Sequence, residues 1–207
     1  MRSILLLFLC ICAGAISQTI GDVFKSMPTE LLPGLSDGNR TMLVVDTAQT
    51  AVPYPLGEIK KTTHTDDHLV IHTSKISQME LKLLPVTTDS AIVCVINTVC
   101  GNACDSRINF YTTAWDKIDD PQLLPTISGE NFFDSSLKDR KNYKYAVSLP
   151  GIYPVSAKFS DGGTDLQFTF NYKEHLTTDQ VAEITPFLKS ETLLLKWDGA
   201  RFKSTNH

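Results

Sequence analysis

Residues 155–173, with the sequence VSAKFSDGGTDLQFTFNYK, decide the fold class. Apolar and polar residues alternate from Val155 to Ser160, and the alternation resumes from Leu166 to Lys173 after the turn sequence DGG at 161–163. A period of two is typical of a strand with one buried face, and a Gly-rich turn between two such runs is typical of a β-hairpin. The stretch therefore predicts an antiparallel hairpin with one dry face and one wet face.

Further strand-like runs lie on both sides of this hairpin. Upstream, apolar runs separated by turn-rich pieces predict strands at 69–71, 79–86, 91–99 and 107–115. The run at 91–99 is apolar on both alternating faces, which predicts a central strand with both sides covered. Downstream, Leu193–Trp197 predicts a last strand, and Asp198-Gly199 after it is a tight-turn dipeptide.

Helical patterns stand at two places in the chain. Apolar residues recur at helical spacing from Ile20 to Leu31, and Pro28 is expected to break this run into two pieces. Ser36 could cap another helix before the strands begin. Near the C-terminus, Thr177 followed by Gln180 forms a capping-box pattern for one late helix. The sum is an α+β fold: N-terminal helices at 20–50, then a mostly antiparallel meander sheet at 58–203 with one late helix.

The first 17 residues have the parts of a secretory signal peptide. Arg2 precedes an apolar run from Ile4 to Ile16, which is too short to span a bilayer comfortably, and Ala15-Ile16-Ser17 predicts cleavage before Gln18. Leu9 and Ile11, which precede Cys10 and Cys12, are not the small residues that lipid attachment requires. We therefore expect a chain exported to the periplasm or beyond and folded as a single domain at 18–207, with lipid attachment as the less favoured alternative. No later stretch is long and apolar enough to cross a membrane.

The charge of the chain argues against nucleic acid as a partner. The net charge is −4, and removal of Arg2 with the signal segment brings it to about −5. Lys and Arg are spread along the chain rather than clustered, so neither nucleic acid nor an anionic membrane surface is an expected partner.

Three cysteines remain after the signal segment. Cys100 and Cys104 flank Gly101-Asn102-Ala103 between two strand-like runs, so a disulfide there would staple a hairpin tip, and an oxidising compartment permits it. A redox-active pair is the alternative, although such pairs usually have two intervening residues. Cys94 lies in an apolar run and is interpreted as a small core residue.

The residues His64, Asp66 and His68 form the densest group of metal-type ligands. In one strand they would share a face and could hold zinc or a similar ion. The competing interpretation, which we favour, is a polar turn that leads into the strand at Leu69. We therefore assign no metal site, no cofactor and no catalytic residue.

The aromatic residues of the C-terminal strands leave two interpretations open. Phe168, Phe170, Tyr172 and Trp197 could line a sugar or peptide groove, but their alternation with polar residues favours a packed core. No nucleophile elbow, zinc-protease helix, phosphate loop or dinucleotide fingerprint is present.

Several passages spread over the chain resemble a known family. They are DVFKSMP at 22–28 with LLP at 31–33, MELKLLP at 79–85, VCG at 99–101 leading into DSRI at 105–108, and KWDGARF at 196–202. In these passages the chain resembles domain of unknown function 3256, a family of small exported proteins of anaerobic Gram-negative bacteria. The resemblance implies export and an unassigned role, and it implies no catalytic residue.

The sequence thus favours an exported, non-catalytic binding or accessory protein, periplasmic or surface-associated, with an unknown protein or glycan partner in the envelope. Two alternatives stay open: a secreted hydrolase whose acid/base carboxylates come together only in the fold, and a metal-binding module built on His64 and His68.

Overall fold

The structure is a computed structural model that describes residues 18–55 and 57–205. It contains four short α-helices: α1 (Ile20–Lys25), α2 (Asp37–Leu43), α3 (Tyr143–Ser148) and α4 (Thr178–Ile184). The strands are β1 (Thr50–Tyr54), β2 (Gly57–His64), β3 (His68–His72), β4 (Ser77–Thr87), β5 (Ser90–Cys100), β6 (Cys104–Thr112), β7 (Lys117–Ile118), β8 (Val155–Phe159), β9 (Leu166–Phe170), β10 (Thr192–Trp197) and β11 (Phe202–Ser204). Short 3₁₀ helices lie at Thr29–Leu31, Gly129–Phe132, Ser135–Leu137, Lys173–His175 and Thr185–Phe187.

The first seven strands form one antiparallel sheet in the order of the sequence, from β1 to β7. Its centre is the long hairpin of β4 and β5, strands of 11 residues each. Each neighbour follows the last through a short turn, which is the meander expected from the strand spacing. The residues from 119 to 154 then leave the sheet and lead to a second one.

The second sheet has the order β11-β10-β9-β8 and is also antiparallel. It contains the hairpin predicted from residues 155–173, with Val155 opposite Phe170 and Phe159 opposite Leu166. Gly162 in the turn has a φ of +69°, a conformation that favours glycine. The alternation of apolar residues correctly predicts the pairing. It does not predict that the meander divides into two sheets packed on each other.

The N-terminal helical segment covers one face of the large sheet. Thr19 caps α1 through a capping box with Asp22, and Ser36 caps α2 by accepting the N–H of Asn39 at 3.2 Å. The chain turns near Pro28, as expected. Buried residues of this segment pack on the sheet in one apolar cluster: Ile20, Val23, Phe24, Met27, Leu32, Leu35, Leu43 and Val44. Strand β1 already begins at Thr50, and the helices are shorter than the periodicity suggests.

The small sheet covers the opposite face of the large one. Residues of β5 contribute to both cores, with Val93 and Val95 on the helical side and Cys94 and Ile96 on the side of the small sheet. This confirms the prediction of a central strand covered on both sides. The capping box of α4 at Thr177 and Gln180 is also confirmed.

Strand β8 is an edge of the small sheet, and side chains of the large sheet satisfy its outward N–H groups. Alternate residues of an edge strand direct their N–H groups away from the neighbouring strand. Here Val155 donates to Asp105 Oδ1 at 2.9 Å, Ala157 to Ser106 Oγ at 2.9 Å and Phe159 to Glu80 Oε1 at 3.1 Å. The two sheets are thus joined by three directed hydrogen bonds as well as by apolar packing.

No helix of the described residues is long and apolar enough to cross a membrane.

Candidate functional site: an acidic groove above a buried polar cluster

The proposed metal ligands do not come together. Strand β2 ends at His64, residues 65–67 form a turn, and β3 begins at His68. His64 faces the helical side, where its Nδ1 lies 2.7 Å from the carbonyl oxygen of Asp46. His68 faces the small sheet, with its ring 6.2 Å from that of Phe159. His64, Asp66 and His68 would share one face only in a single continuous strand, and the turn at 65–67 interrupts the strand.

Across the residues that the structure describes, no group of three or more His, Cys, Asp or Glu side chains is placed to hold a metal ion. The polar turn that leads into the strand at Leu69 is the arrangement found.

His68 and Glu80 form a buried polar pair between the two sheets. His68 Nε2 lies 2.8 Å from Glu80 Oε1, and Glu80 is only 3% exposed. The same oxygen accepts the backbone N–H of Phe159. A buried carboxylate needs such partners, because an unpaired charge in the interior is costly. Oε1 of Glu80 thus joins the two sheets.

Lys82 is the second buried charge on this face. Its side chain is 1% exposed, and its Nζ lies 2.8 Å from Oδ2 of Asp67, which is half-exposed in the turn between β2 and β3. Burial raises the pKa of Asp67, but hydrogen bonds from Lys82 and Thr65 outweigh it and hold the pKa below its usual value. Asp67 therefore remains ionised near neutral pH and is unsuited to act as a general acid.

Cys94 stands beside this cluster and is not an activated nucleophile. The thiol is free and buried in the core between the sheets. Burial raises its pKa well above the ordinary value, and the nearby Glu80 carboxylate acts in the same direction. Because the thiolate is the reactive form, this environment makes the thiol inert. The interpretation of Cys94 as a core residue is consistent with this placement.

The aromatic strand face is core. Phe168, Phe170 and Tyr172 are all buried between the sheets. Trp197 is half-buried, and its Nε1 donates to the carbonyl oxygen of Pro85 at 2.7 Å, so it helps to hold the sheets together. These residues leave no aromatic groove for a sugar or peptide on that face.

Cys100 and Cys104 are disulfide-bonded at the tip of the hairpin formed by β5 and β6. They are also paired in register at its end. Their position is that of the structural staple considered from the sequence.

An open groove of about 620 Å³ lies at one end of the large sheet. Four segments meet there: the turn between β2 and β3, the hairpin end of β4 and β5, the residues before α1, and Thr113 after β6. Backbone hydrogen bonds fix the first turn, since Asp66 O accepts the N–H of Ile20 at 2.7 Å and Asp67 O accepts that of Leu83 at 2.8 Å. The lining is rich in acids and hydroxyls: Gln18, Thr19, Asp66, Asp67, Leu83, Pro85, Thr87, Thr88, Asp89, Ser90, Ala91 and Thr113.

The charge of the groove is negative. Asp66 and Asp89 are exposed and have no ion-pair partner among the described residues, whereas Asp67 is paired with Lys82. The sequence analysis considered Asp66 only as a metal ligand and did not single out Asp89. Two turns about 20 residues apart meet only when β3, β4 and β5 pair, so no local signal joins them.

Comparisons with known proteins bear on the fold and the family. A family model described as "Protein of unknown function (DUF3256)" matches residues 12–202. Among solved structures, the chain is similar to a domain of an uncharacterized protein from Porphyromonas gingivalis W83. The identity is 22%, the match covers 91% of this chain and 98% of that chain, and the TM-score is 0.79. At this identity the likeness shows a shared fold alone. No curated protein matches the chain.

Proposed function

The chain belongs to DUF3256, as its sequence passages predicted, and since that is a family of unknown function, we propose a role from the residues of this chain. It is an exported, non-catalytic binding protein, and the acidic groove receives a cationic segment of a partner protein in the envelope. The observation that carries this proposal is the contrast between the groove and the interior. The buried side chains of Glu80 and Lys82 have partners, whereas Asp66 and Asp89 present carboxylates to solvent without an ion-pair partner among the described residues.

Export is supported by the sequence before Gln18 and by the staple between Cys100 and Cys104. Arg2, the apolar run and the small residues at 15 and 17 are the parts of a cleavable signal. Disulfides persist in oxidising compartments and are rare in the cytoplasm.

Non-catalytic binding is supported by the state of the polar side chains near the groove. Glu80 already contacts His68 and the N–H of Phe159. Asp67 is held ionised by Lys82, and the Cys94 thiol is buried. An open, negatively charged groove attracts amines and guanidinium groups through charge complementarity.

The binding test uses the protein without its signal segment and a fluorescent peptide rich in Lys and Arg. Fluorescence anisotropy measures the Kd for the wild type and for Asp66→Asn/Asp89→Asn. We expect the double variant to bind roughly tenfold more weakly, since two exposed ion pairs are together worth about 1–2 kcal/mol. Added salt weakens the wild-type complex through screening.

The matched control is Asp139→Asn, which removes an exposed acid that has no hydrogen bond or ion pair with any described residue. It lowers the net negative charge without touching the groove. Equal Kd values for the wild type and the double variant would contradict the proposal.

The carboxylates that converge on the groove also favour a second function, hydrolysis by acid/base chemistry. A pair of carboxyl groups facing one cleft is what such chemistry requires. Turnover of a glycan, peptide or ester substrate by the wild type, abolished by Asp66→Asn or Asp89→Asn, would establish this function and overturn the non-catalytic one. A metal ion shared by His64 and His68 is not favoured, because the two side chains face opposite sides of the sheet.

A further inference from the structure

Positive charge is concentrated at one place in the connection between the two sheets. Lys and Arg are spread along the chain as a whole, but residues 138–144 have the sequence KDRKNYK. We call these residues the basic segment. Exposed lysines elsewhere, such as Lys25 and Lys203, lie within 3.3 Å of a carboxylate oxygen. In the basic segment, by contrast, the exposed cations have no ion-pair partner among the described residues: Lys138, Arg140, Lys141 and Lys144.

The fold holds the basic segment in place, although like charges crowded together repel one another. The ring of Tyr143 contacts those of Phe133 and Phe187 edge-on, with centroid distances of 6.4 and 5.8 Å. Tyr143 also donates its N–H to the carbonyl oxygen of Arg140 at 3.2 Å. The cations on both sides of Tyr143 are therefore presented from an anchored surface, which lowers the entropy lost on binding.

A fifth exposed cation, Lys189, lies beside the start of the basic segment. Its backbone N–H donates to Phe132 O at 2.8 Å. A hydrogen bond with Ser136 is the largest cause of the lowered pKa of Asp134. The positive charges of Lys189 and Arg140 lower this pKa further, so both cations lie near the same carboxylate.

An open cleft of about 400 Å³ adjoins these cations. Besides Lys189, its lining includes the amide of Asn131 and the hydroxyls of Ser135 and Ser136. The two hydroxyls make no hydrogen bond to any described residue. Hydroxyl and amide groups both donate and accept hydrogen bonds, which is what the hydroxyls of a sugar require.

We propose that the cleft and the basic segment together bind an anionic polysaccharide. A sugar ring occupies the cleft and exchanges hydrogen bonds with Asn131, Ser135 and Ser136. The carboxylate or sulfate groups of the polysaccharide pair with Lys189 and with the cations of the basic segment, where the guanidinium of Arg140 can hold a carboxylate through two hydrogen bonds. This site lies outside the acidic groove and goes beyond the function proposed for it.

The acids near the site favour a polysaccharide over a flat anionic surface. Glu130 and Asp134 line the cleft, and Asp139 lies within the basic segment, so three acids accompany the five cations. A lipid surface would face all of these acids, and like-charge repulsion would offset the attraction. A single polysaccharide chain contacts the cations selectively, and carboxylates in the cleft accept hydrogen bonds from its hydroxyls.

Fluorescence anisotropy of the purified protein tests the proposal with two labelled probes, an oligogalacturonate and a heparin fragment. A neutral malto-oligosaccharide is the comparison probe. We expect at least one anionic probe to bind about tenfold more tightly than the neutral one, and added salt to weaken its complex. Arg140→Gln/Lys141→Gln should weaken this binding about tenfold, as expected for the loss of two exposed ion pairs. The matched control, Lys158→Gln/Lys196→Gln, removes two exposed cations of the small sheet that have no ion-pair partner among the described residues, and should bind as the wild type does.

A second variant, Ser135→Ala/Ser136→Ala, separates sugar recognition from charge. It keeps every cation, and we expect it to weaken binding of the anionic oligosaccharide several-fold without changing binding of a DNA strand of equal charge. Failure of both anionic probes to bind, or equal Kd values for the wild type and Arg140→Gln/Lys141→Gln, would overturn the proposal. An unchanged Kd for the serine variant, with equally tight binding of DNA or of anionic phospholipid vesicles, would also overturn it, because the segment would then recognise charge alone. None of these results bears on the acidic groove, which the peptide assay with Asp66→Asn/Asp89→Asn tests separately.

Discussion

Glu80 of the large sheet accepts the backbone N–H of Phe159, in the small sheet, at 3.1 Å, while the same oxygen lies 2.8 Å from His68 Nε2. One carboxylate oxygen therefore satisfies two buried donors from two different sheets. Removing it leaves both without a partner in the interior.

For Glu80→Ala we expect a loss of about 3 kcal/mol in the free energy of unfolding, because the N–H of Phe159 and the ring of His68 lose their acceptor. Urea denaturation monitored by tryptophan fluorescence measures it. Glu80→Gln retains one carbonyl oxygen and should lose less. A free energy for Glu80→Ala within about 0.5 kcal/mol of the wild type would contradict the structural role of this residue.

The pair of Lys82 and Asp67 predicts a dependence of stability on pH. The pKa of Asp67 is lowered in the folded protein from the ordinary value of 3.8. A group with a lowered folded pKa contributes stability that is present above its unfolded pKa and is lost as the pH falls through the folded pKa. The difference in unfolding free energy between the wild type and Asp67→Asn should therefore be largest near neutral pH. It should disappear as the pH falls below 3.8.

Chemical denaturation at a series of pH values measures this difference. Asp139→Asn serves as the control, since this exposed acid has no ion-pair partner among the described residues, and its difference from the wild type should not follow the same course. If the difference in unfolding free energy between the wild type and Asp67→Asn grew on acidification, it would be inconsistent with an ionised Asp67 held by Lys82.

The disulfide between Cys100 and Cys104 should contribute modestly to stability. The two residues are separated by 4 positions, and so short a loop gains at most about 2 kcal/mol from cross-linking in the chain-entropy model. We expect Cys100→Ser/Cys104→Ser to lower the unfolding free energy by no more than this and to retain the native circular dichroism spectrum. The pairing of β5 with β6 over nine residue pairs supports the hairpin independently. A double variant that fails to fold would show that the disulfide stabilises the protein by more than the entropy of closing so short a loop can provide.

Two glycines should respond to alanine in opposite directions. A Cβ on Gly129 would overlap the ring of Tyr153, so Gly129→Ala must displace a ring packed on Phe170. We expect a loss of about 2 kcal/mol. Gly38 lies in α2 with no atom within 4 Å of such a Cβ, so Gly38→Ala should stabilise the protein by up to about 1 kcal/mol. Thermal unfolding of the two variants distinguishes them, and equal melting temperatures would contradict both expectations.

The sequence predicts much of the fold because local signals specify it. The turn at 161–163 and the alternation on both sides give the hairpin of β8 and β9, and the capping residues Ser36 and Thr177 give the starts of α2 and α4. Alternation reports which residues share a face, but not which layer covers that face. The division into two sheets depends on contacts across a long connection, so no local pattern contains it.

Less of the candidate site could be predicted. Glu80 and Lys82 alternate with Leu81 and Leu83, a pattern typical of a strand with one solvated face. Both polar side chains are nevertheless buried. Phe159 of the small sheet donates its N–H to Glu80, and Lys82 pairs with Asp67 in the turn between β2 and β3. The groove depends on Asp66 and Asp89 meeting across strand pairings, and their turn sequences resemble ordinary solvent-exposed turns.

The three hydrogen bonds that Asp105, Ser106 and Glu80 accept from β8 also govern how the protein avoids self-association. An edge strand with free N–H groups is a template on which another chain can extend the sheet. Here those groups are occupied, but only once the two sheets have docked. For a chain exported unfolded, as proposed above, the β8 edge is open to neighbouring molecules until the two sheets dock. Protection of this edge is then acquired only with docking, so the rate of docking sets how long each chain remains vulnerable to aggregation.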